Sequence, residues 1–600
     1  MSKTTNVKKM EERVAALRRE MAESRLDAFI IPSQDPHQSE YVADHWKARA
    51  WISGFTGSAG VAVVTPDHAG LWTDSRYFIQ AEQELKDSPF VLHPLKVPHM
   101  PEHIDWLLEN LPRGSTVGCD GNVFSLSQAN YLQRRLESKS MSLAYKEDLI
   151  GRIWTGRPPL PRNAAFELDE VLAGQSRAEK LRLIRRQMKG AEYYLVPTLD
   201  DIAWALNIRG ADVEYNPVCI SYLLIGHKAA HWFVHEEKVP GVLQKRLQQD
   251  GLHLHPYEQL EGFLTGLDKD CTLLYDAGST SIALFEALEE EQWKASRNLI
   301  RTLKAIKNET EVKHIRQAMR KDGVALLKLY RWLEAELQHR TVSEYELAQQ
   351  LAAFRKAQGN YYGESFAAIV GYAANGAIVH YKPEPDTCAD IRPEGILLLD
   401  SGGQYLEGTT DITRTTALSD PTEEQRRNYT LVLKGNIALS RAVFPEGTAG
   451  VQLDILARMH LWREGLNYGH GTGHGVGFFL NVHEAPQGFT PNPKNERGET
   501  PFQAGMLTSN EPGFYKAGEY GIRIENLELC VEHRSTDNGR FFAFEPATLF
   551  PIDLKLADLS LLTQEEKGWL NDYHRKVLNE LTPLLNEEEQ AWLEERCRAV

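Results

Sequence analysis

The sequence predicts three domains: two related α/β domains in tandem, then a larger α+β domain. Three observations predict this. Helical stripes alternate with short apolar strands over the first 300 residues or so, as an α/β pattern requires. The segment Arg18–Met21, ahead of an apolar strand and Pro32, is echoed by Arg185–Met188 ahead of Tyr193–Val196 and Pro197. From residue 307 onward, long capped helices surround strands punctuated by glycine. A chain of 600 residues also exceeds one core, since domains run to roughly 100–200 residues.

The first domain, residues 1–157, opens with Met10, Val14, Leu17 and Met21 at helical spacing. Ala28 to Ile31 reads as a strand ended by Pro32, and GVAVVT and AGLWTD read as further strands. The Pro-rich stretch at 156–163 marks its end. The second domain, 158–306, repeats the pattern. The third, 307–600, begins with a helix at KNETEVKHIRQAM. Ser343 with Glu346 forms a capping box for another helix, closed at Gly359, and Thr422 with Gln425 forms a second box. GAIVHY, GILLLD, TTDITRTTAL, GMLTSNEP and GIRIENLELCV read as strands of a largely antiparallel sheet with helices outside it. A tail from about 546 carries two more capped helices, opened by Thr563 and Asn586. Its stripe of Trp569, Leu570, Tyr573 and Val577 is expected to pack on the third domain.

The bulk numbers exclude several classes. A net charge of −16 with no long Lys/Arg run argues against a nucleic-acid or anionic-membrane surface. Six cysteines without a C-x-x-C pair point to buried free thiols in a reducing compartment. The N-terminal stretch lacks an apolar signal region, and no run of roughly 20 apolar residues appears, so a cytoplasmic location is expected.

Five residues stand in short, unusual motifs: Asp400 and Asp411 in DSGGQYLEGTTD, His474 in HGTGHGVG, Glu511 in NEPG and Glu525 in GIRIE. GILLLD and TTDITRT should pair as a hairpin that brings the two aspartates close. Adjacent carboxylates repel unless a cation or proton lies between them. By themselves the two fit better as a turn residue and a strand-face residue paired with Arg414. His470, His474 and His483 fall within fourteen residues, which packing alone does not explain. The glycines between them disfavour a helix and suggest a loop that a substrate can approach. Arg523 and Glu525 share a strand face by period two. Four carboxylates and an imidazole can hold two divalent ions, and such a pair can turn a water into a nucleophile at neutral pH.

In this order, DSG…TTD, HGTGHGVG, EPG and RIE resemble the pita-bread metallopeptidases. SGFTGSAG, TDSRYF, NGAIVHY and GHGVGFFLNVHE narrow the likeness to the long, three-domain cytosolic aminopeptidase P type. The resemblance implies two creatinase-like N-terminal domains followed by a pita-bread catalytic domain. It implies a dinuclear site, most often loaded with manganese, with cobalt or zinc as other occupants. Asp400 then chelates one ion, Asp411 and Glu525 bridge both, and His474 and Glu511 complete the other shell. His380, His470 and His483 match three histidines near the substrate. Arg523 matches an arginine beside the last ligand, and Arg76 one that reaches from the first domain toward the site. The implied activity is release of the N-terminal residue from peptides with proline second. A hydroxide bridging the two metals attacks, Glu511 handles the proton and His483 steadies the oxyanion. A homodimer is implied as well. A prolidase acting on X-Pro dipeptides is the alternative, but length favours the three-domain type. Creatinase and the binding proteins of this fold lack the full ligand set retained here.

Overall fold

The computed structural model describes residues 3–97, 100–286 and 289–600. The chain forms two compact units, Met1–Leu168 with Gln175–Ile300, and Asp169–Gly174 with Arg301–Val600.

In the first unit, the opening helix Lys3–Glu23 buries Met10, Val14, Leu17 and Met21. Two six-stranded sheets follow. The first contains β1 (Ala28–Ile31), β2 (Val61–Val64), β3 (Ala69–Thr73), β4 (Val91–Pro94), β5 (Thr116–Cys119) and β6 (Ser142–Ala144). The second contains β7 (Tyr193–Val196), β8 (Tyr222–Gly226), β9 (Ala230–Phe233), β10 (Leu252–His255), β11 (Leu273–Tyr275) and β12 (Trp293–Ala295). Their orders are β4-β3-β2-β1-β5-β6 and β10-β9-β8-β7-β11-β12, which is one topology used twice. The pairing senses agree as well: the first strand of each sheet runs antiparallel to the second and parallel to the fifth. The echoed segments therefore hold equivalent places, each ending a helix that leads into the first strand.

The two sheets join through an almost symmetric exchange. Leu126 N–H donates to Thr280 O at 2.8 Å, and Ile282 N–H donates to Phe124 O at 3.0 Å. Ser125 and Ser281 face each other as an antiparallel bridge. Ile30 and Leu132 share a buried cluster with Leu224 and Phe233, so one continuous core binds both sheets into a single unit.

The second unit is an α+β layer in which every strand pair among the described residues is antiparallel. The helix Glu309–Glu336 starts at a capping box of Asn308 and Glu311, and Glu423–Ser440 at the Thr422–Gln425 box. Ser343 caps Glu344–Lys356, but no box closes there, because the Glu346 carboxylate turns to Arg340 at 2.6 and 2.9 Å. The tail helices Gln564–Leu581 and Glu587–Arg596 pack on this unit as expected. Tyr573 OH receives a bond from Arg414, and Trp592 Nε1 donates to Glu334.

Three further readings need correction. GAIVHY is not a strand: Ala373–Ala377 forms a 3-10 helix, followed by a turn. Two glycines explain this, because Gly376 lies against Gly521 so closely that a Cβ on Gly521 would fall 1.7 Å from Gly376 O. HGTGHGVG is not simply a loop. Gly473–Gly475 is a strand between Leu507–Asn510 and Glu484–Phe489, and a Cβ on Gly473 would meet Ser509 O at 1.8 Å. Arg523 and Glu525 do not share a strand face. The strand Tyr520–Arg523 ends before Glu525, and the next begins at Asn526.

Candidate metal centre

The site is built on four pieces of the second unit. Ile396–Ser401 pairs with Ile412–Ala417, setting Asp400 opposite Thr413, with Asp411 just ahead of the second strand. His474 lies at the centre of its short strand. Glu511 follows Leu507–Asn510 directly, and Glu525 fills the break after Arg523. Asp400, Asp411, His474 and Glu525 are buried, and Glu511 nearly so.

One ligand atom each from Asp411, His474 and Glu525 lie within 4.8 Å of one another. His474 Nε2 is 3.5 Å from Asp411 Oδ2 and 3.4 Å from Glu511 Oε1. Its Nδ1 is 3.0 Å from the Gly475 carbonyl, which can only accept, so Nδ1 carries the proton and Nε2 offers its lone pair inward. Ser509 Oγ donates to Glu511 Oε1 at 3.2 Å, and Thr413 Oγ1 donates to Glu525 Oε2 at 2.8 Å. Arg523 holds Asp400 Oδ2 through Nη2 at 2.6 Å and Nε at 3.1 Å.

Burial, then the other carboxylates, pushes the Asp411 and Glu525 pKa values well above the usual range. Glu511 is pushed up to about 7, mainly by burial, with Arg523 opposing and Asp400 adding to the rise. Asp400 Oδ1 is buried without a hydrogen-bond partner. Crowded acids, an inward lone pair and an orphaned oxygen are the donor set that a divalent, oxygen-preferring cation takes. The residues present fit such a group.

Arg414 does not pair with Asp411. It bonds Glu525 O and Phe550 O, tying the backbone of Glu525 to the tail. Glu525 and Arg523 are both fully buried, and Arg523 turns to Asp400.

His483 packs edge-on to His474 with ring centroids 4.3 Å apart. Its segment is pinned by Gln404 and Thr409 bonding Leu480 O, and by a buried ion pair of Lys307 with Glu484. His470 follows a backbone held by the helix Gly450–Trp462, where Arg458 bonds Tyr468 O at 3.0 Å and His470 O at 2.7 Å. His380 follows Val379, whose carbonyl accepts from Arg523 Nη2 at 3.4 Å. Arg76 belongs to the first unit, where it grips Asp74 with Nε and Nη2, both at 2.8 Å. His253 stacks on His231 and His255 lies tilted against it, as structural histidines do.

Sequence reasoning missed Tyr515. Its hydroxyl accepts from Arg523 Nη1 at 2.7 Å and bonds His470 Nε2 at 2.8 Å. His470 Nδ1 donates to Gly471 O, so Nε2 accepts from Tyr515. A chain therefore runs Asp400–Arg523–Tyr515–His470. No local motif announces it, because a cross-strand register, Tyr515 opposite Gly521, makes the contact.

The comparisons agree with this architecture. A model described as metallopeptidase family M24 matches residues 313–532, and one for the C-terminal region of that family matches 540–600. Models of the creatinase/prolidase N-terminal domain match residues 13–147 and 156–311, so two such domains precede the catalytic one. A probable Xaa-Pro aminopeptidase P of Laccaria bicolor is 41% identical over 98% of this chain and 93% of its own length. Aminopeptidase P2 of Arabidopsis thaliana is 40% identical over 97% of this chain and 88% of its own. The crystal structure of an X-prolyl aminopeptidase from Caenorhabditis elegans, described as a cytosolic enzyme with a di-nuclear active site, superposes with a TM-score of 0.94. It is 35% identical and covers 98% of this chain and 100% of that one. Since identity of this degree spans nearly the whole sequence, the chain belongs to the Xaa-Pro aminopeptidase P family of M24 metallopeptidases.

Proposed function

We propose that the protein releases the N-terminal residue from peptides whose second residue is proline, using two divalent ions, manganese first among them. Asp400, Asp411, His474, Glu511 and Glu525 would hold the ions. When bound, the ions supply an activated water and a Lewis acid for the scissile carbonyl. The observation that carries this reading is the buried carboxylate cluster around an inward-facing His474 Nε2.

The chain's own groups do the rest. Glu511, with one oxygen fixed by Ser509, accepts the proton of the attacking water and delivers it to the proline nitrogen. His483 donates to the developing oxyanion. An X-Pro bond has no N–H, so recognition falls to the ring, which His380 and His470 would flank with Tyr515 nearby. Arg523 keeps Asp400 aimed through its two bonds to Oδ2, and Arg76 would bind substrate from the first domain. Peptides are the partners, in a cytoplasmic homodimer. In support, no described helix is long and apolar enough to cross a membrane, and the C. elegans relative is called cytosolic. We place the domain boundaries near residues 157 and 306.

The test uses chelator-stripped protein reloaded with manganese, given an Xaa-Pro dipeptide and an Xaa-Pro-Yaa-Zaa tetrapeptide. Release of the first residue from the tetrapeptide, absent without metal, is expected. Cleavage of the dipeptide alone would make it a prolidase, and cleavage of neither, with metal bound, would make it a binding protein. Tyr515→Phe is expected to keep both metal equivalents and lower kcat/KM by about 10–100-fold, the usual cost of losing a group behind the ligands. Wild-type kinetics in that variant would remove the Asp400–His470 chain from the mechanism.

A further inference from the structure

The segment from Tyr372 to Ala389 carries His380, yet it is irregular after its first turn. Its backbone is also strained. Ala373 has φ of +49°, a left-handed conformation that residues other than glycine rarely adopt. Something must hold such a segment in place.

Glu344 does so. It is the first residue of the helix Glu344–Lys356 and is fully buried. Its Oε1 accepts from Tyr372 N–H at 2.7 Å, and its Oε2 from Ala389 N–H at 2.8 Å. Asn375 Nδ2 bonds both oxygens at 3.0 and 3.1 Å, and Tyr381 OH donates to Oε2 at 2.7 Å. One carboxylate thus binds both ends of the segment and two side chains within it, one of them next to His380. The same segment touches the metal side at two further points, the Gly376–Gly521 backbone contact and the Val379–Arg523 bond. Its leading strand pairs with the strand of Asp400, with Ile369 opposite Asp400.

We propose that Glu344 is a positioning residue for the reaction: it fixes the Tyr372–Ala389 segment so that His380 meets the substrate. This rests on the role given to His380 above. Glu344 touches neither substrate nor metal in this scheme, so its contribution passes through the histidine.

A double-mutant cycle on the manganese-loaded full chain tests it. Glu344→Ala should retain two metal equivalents and lower kcat/KM for an Xaa-Pro tetrapeptide at least tenfold. Glu344→Gln, which keeps an acceptor for Tyr372 and Asn375, should recover much of that loss. In a His380→Ala background, Glu344→Ala should cost less than twofold more. Should Glu344→Ala fold poorly, the same cycle is run with Tyr381→Phe, which removes one bond to Glu344 and whose loss should likewise vanish without His380. Full additivity in both backgrounds overturns the proposal, because a general structural role lowers activity equally with or without the histidine. Loss of metal in Glu344→Gln would also overturn it. If His380→Ala alone leaves kcat/KM unchanged, the role of His380 fails instead, and Glu344 loses its route to the chemistry.

Discussion

Asp411→Asn is expected to raise the melting temperature of the metal-free protein while lowering peptidase activity by on the order of 10³-fold or more, the scale seen when one member of an interdependent catalytic set is removed. The opposite signs share one cause. Asp411 is buried among Glu525, Asp400 and Glu511, and burial followed by those carboxylates raises its pKa well above normal. Without a cation, the folded chain must either carry that charge or take up a proton, and both cost stability near neutrality. Asparagine removes the charge at nearly constant volume and offers N–H donors to its acidic neighbours. It also weakens the grip on divalent ions, so metal content by elemental analysis should fall together with activity. Thermal denaturation of chelated protein checks the first half, and tetrapeptide hydrolysis the second. A variant that is less stable without metal, or fully active with it, would mean that Asp411 is not part of the ion site.

The five-residue set was legible in the sequence because each member sits in a motif whose backbone is constrained: a hairpin, a glycine-flanked strand, a Glu-Pro turn. What supports them was not. Asp400 depends on Arg523, Glu525 on Thr413, and His470 on Tyr515 and Arg458, and each contact joins segments distant in sequence. Period-two reasoning assigned Arg523 and Glu525 to one face, and it failed because the strand breaks between them at the site itself. GAIVHY carries β-branched residues, yet it coils into a 3-10 turn where Gly376 meets Gly521. Local propensity yielded to tertiary contact close to the chemistry, where strain is most often stored. The duplicated N-terminal sheets show the converse. A four-residue echo pointed to a shared topology because helix, strand and proline stop are local features.

Removing the metal should destabilise the protein more at pH 7.5 than at pH 5.5. In the metal-free fold Glu511 titrates at about 7, and Asp411 and Glu525 are raised well above normal, burial being the main cause in each case. In the unfolded chain such groups titrate near 4. Between these limits the folded state binds more protons than the unfolded one, so metal-free stability falls as pH rises through the window. For Glu511 alone the window spans on the order of 3 kcal/mol. Bound divalent ions reverse the preference, since they take the carboxylates ionised and release their protons. The gap in melting temperature between loaded and chelated protein should therefore be small at pH 5.5 and widen steadily to pH 7.5. Asp411→Asn should flatten that slope. A gap that is constant, or that narrows with rising pH, would show that these carboxylates do not hold the ions, whatever the activity measurements report.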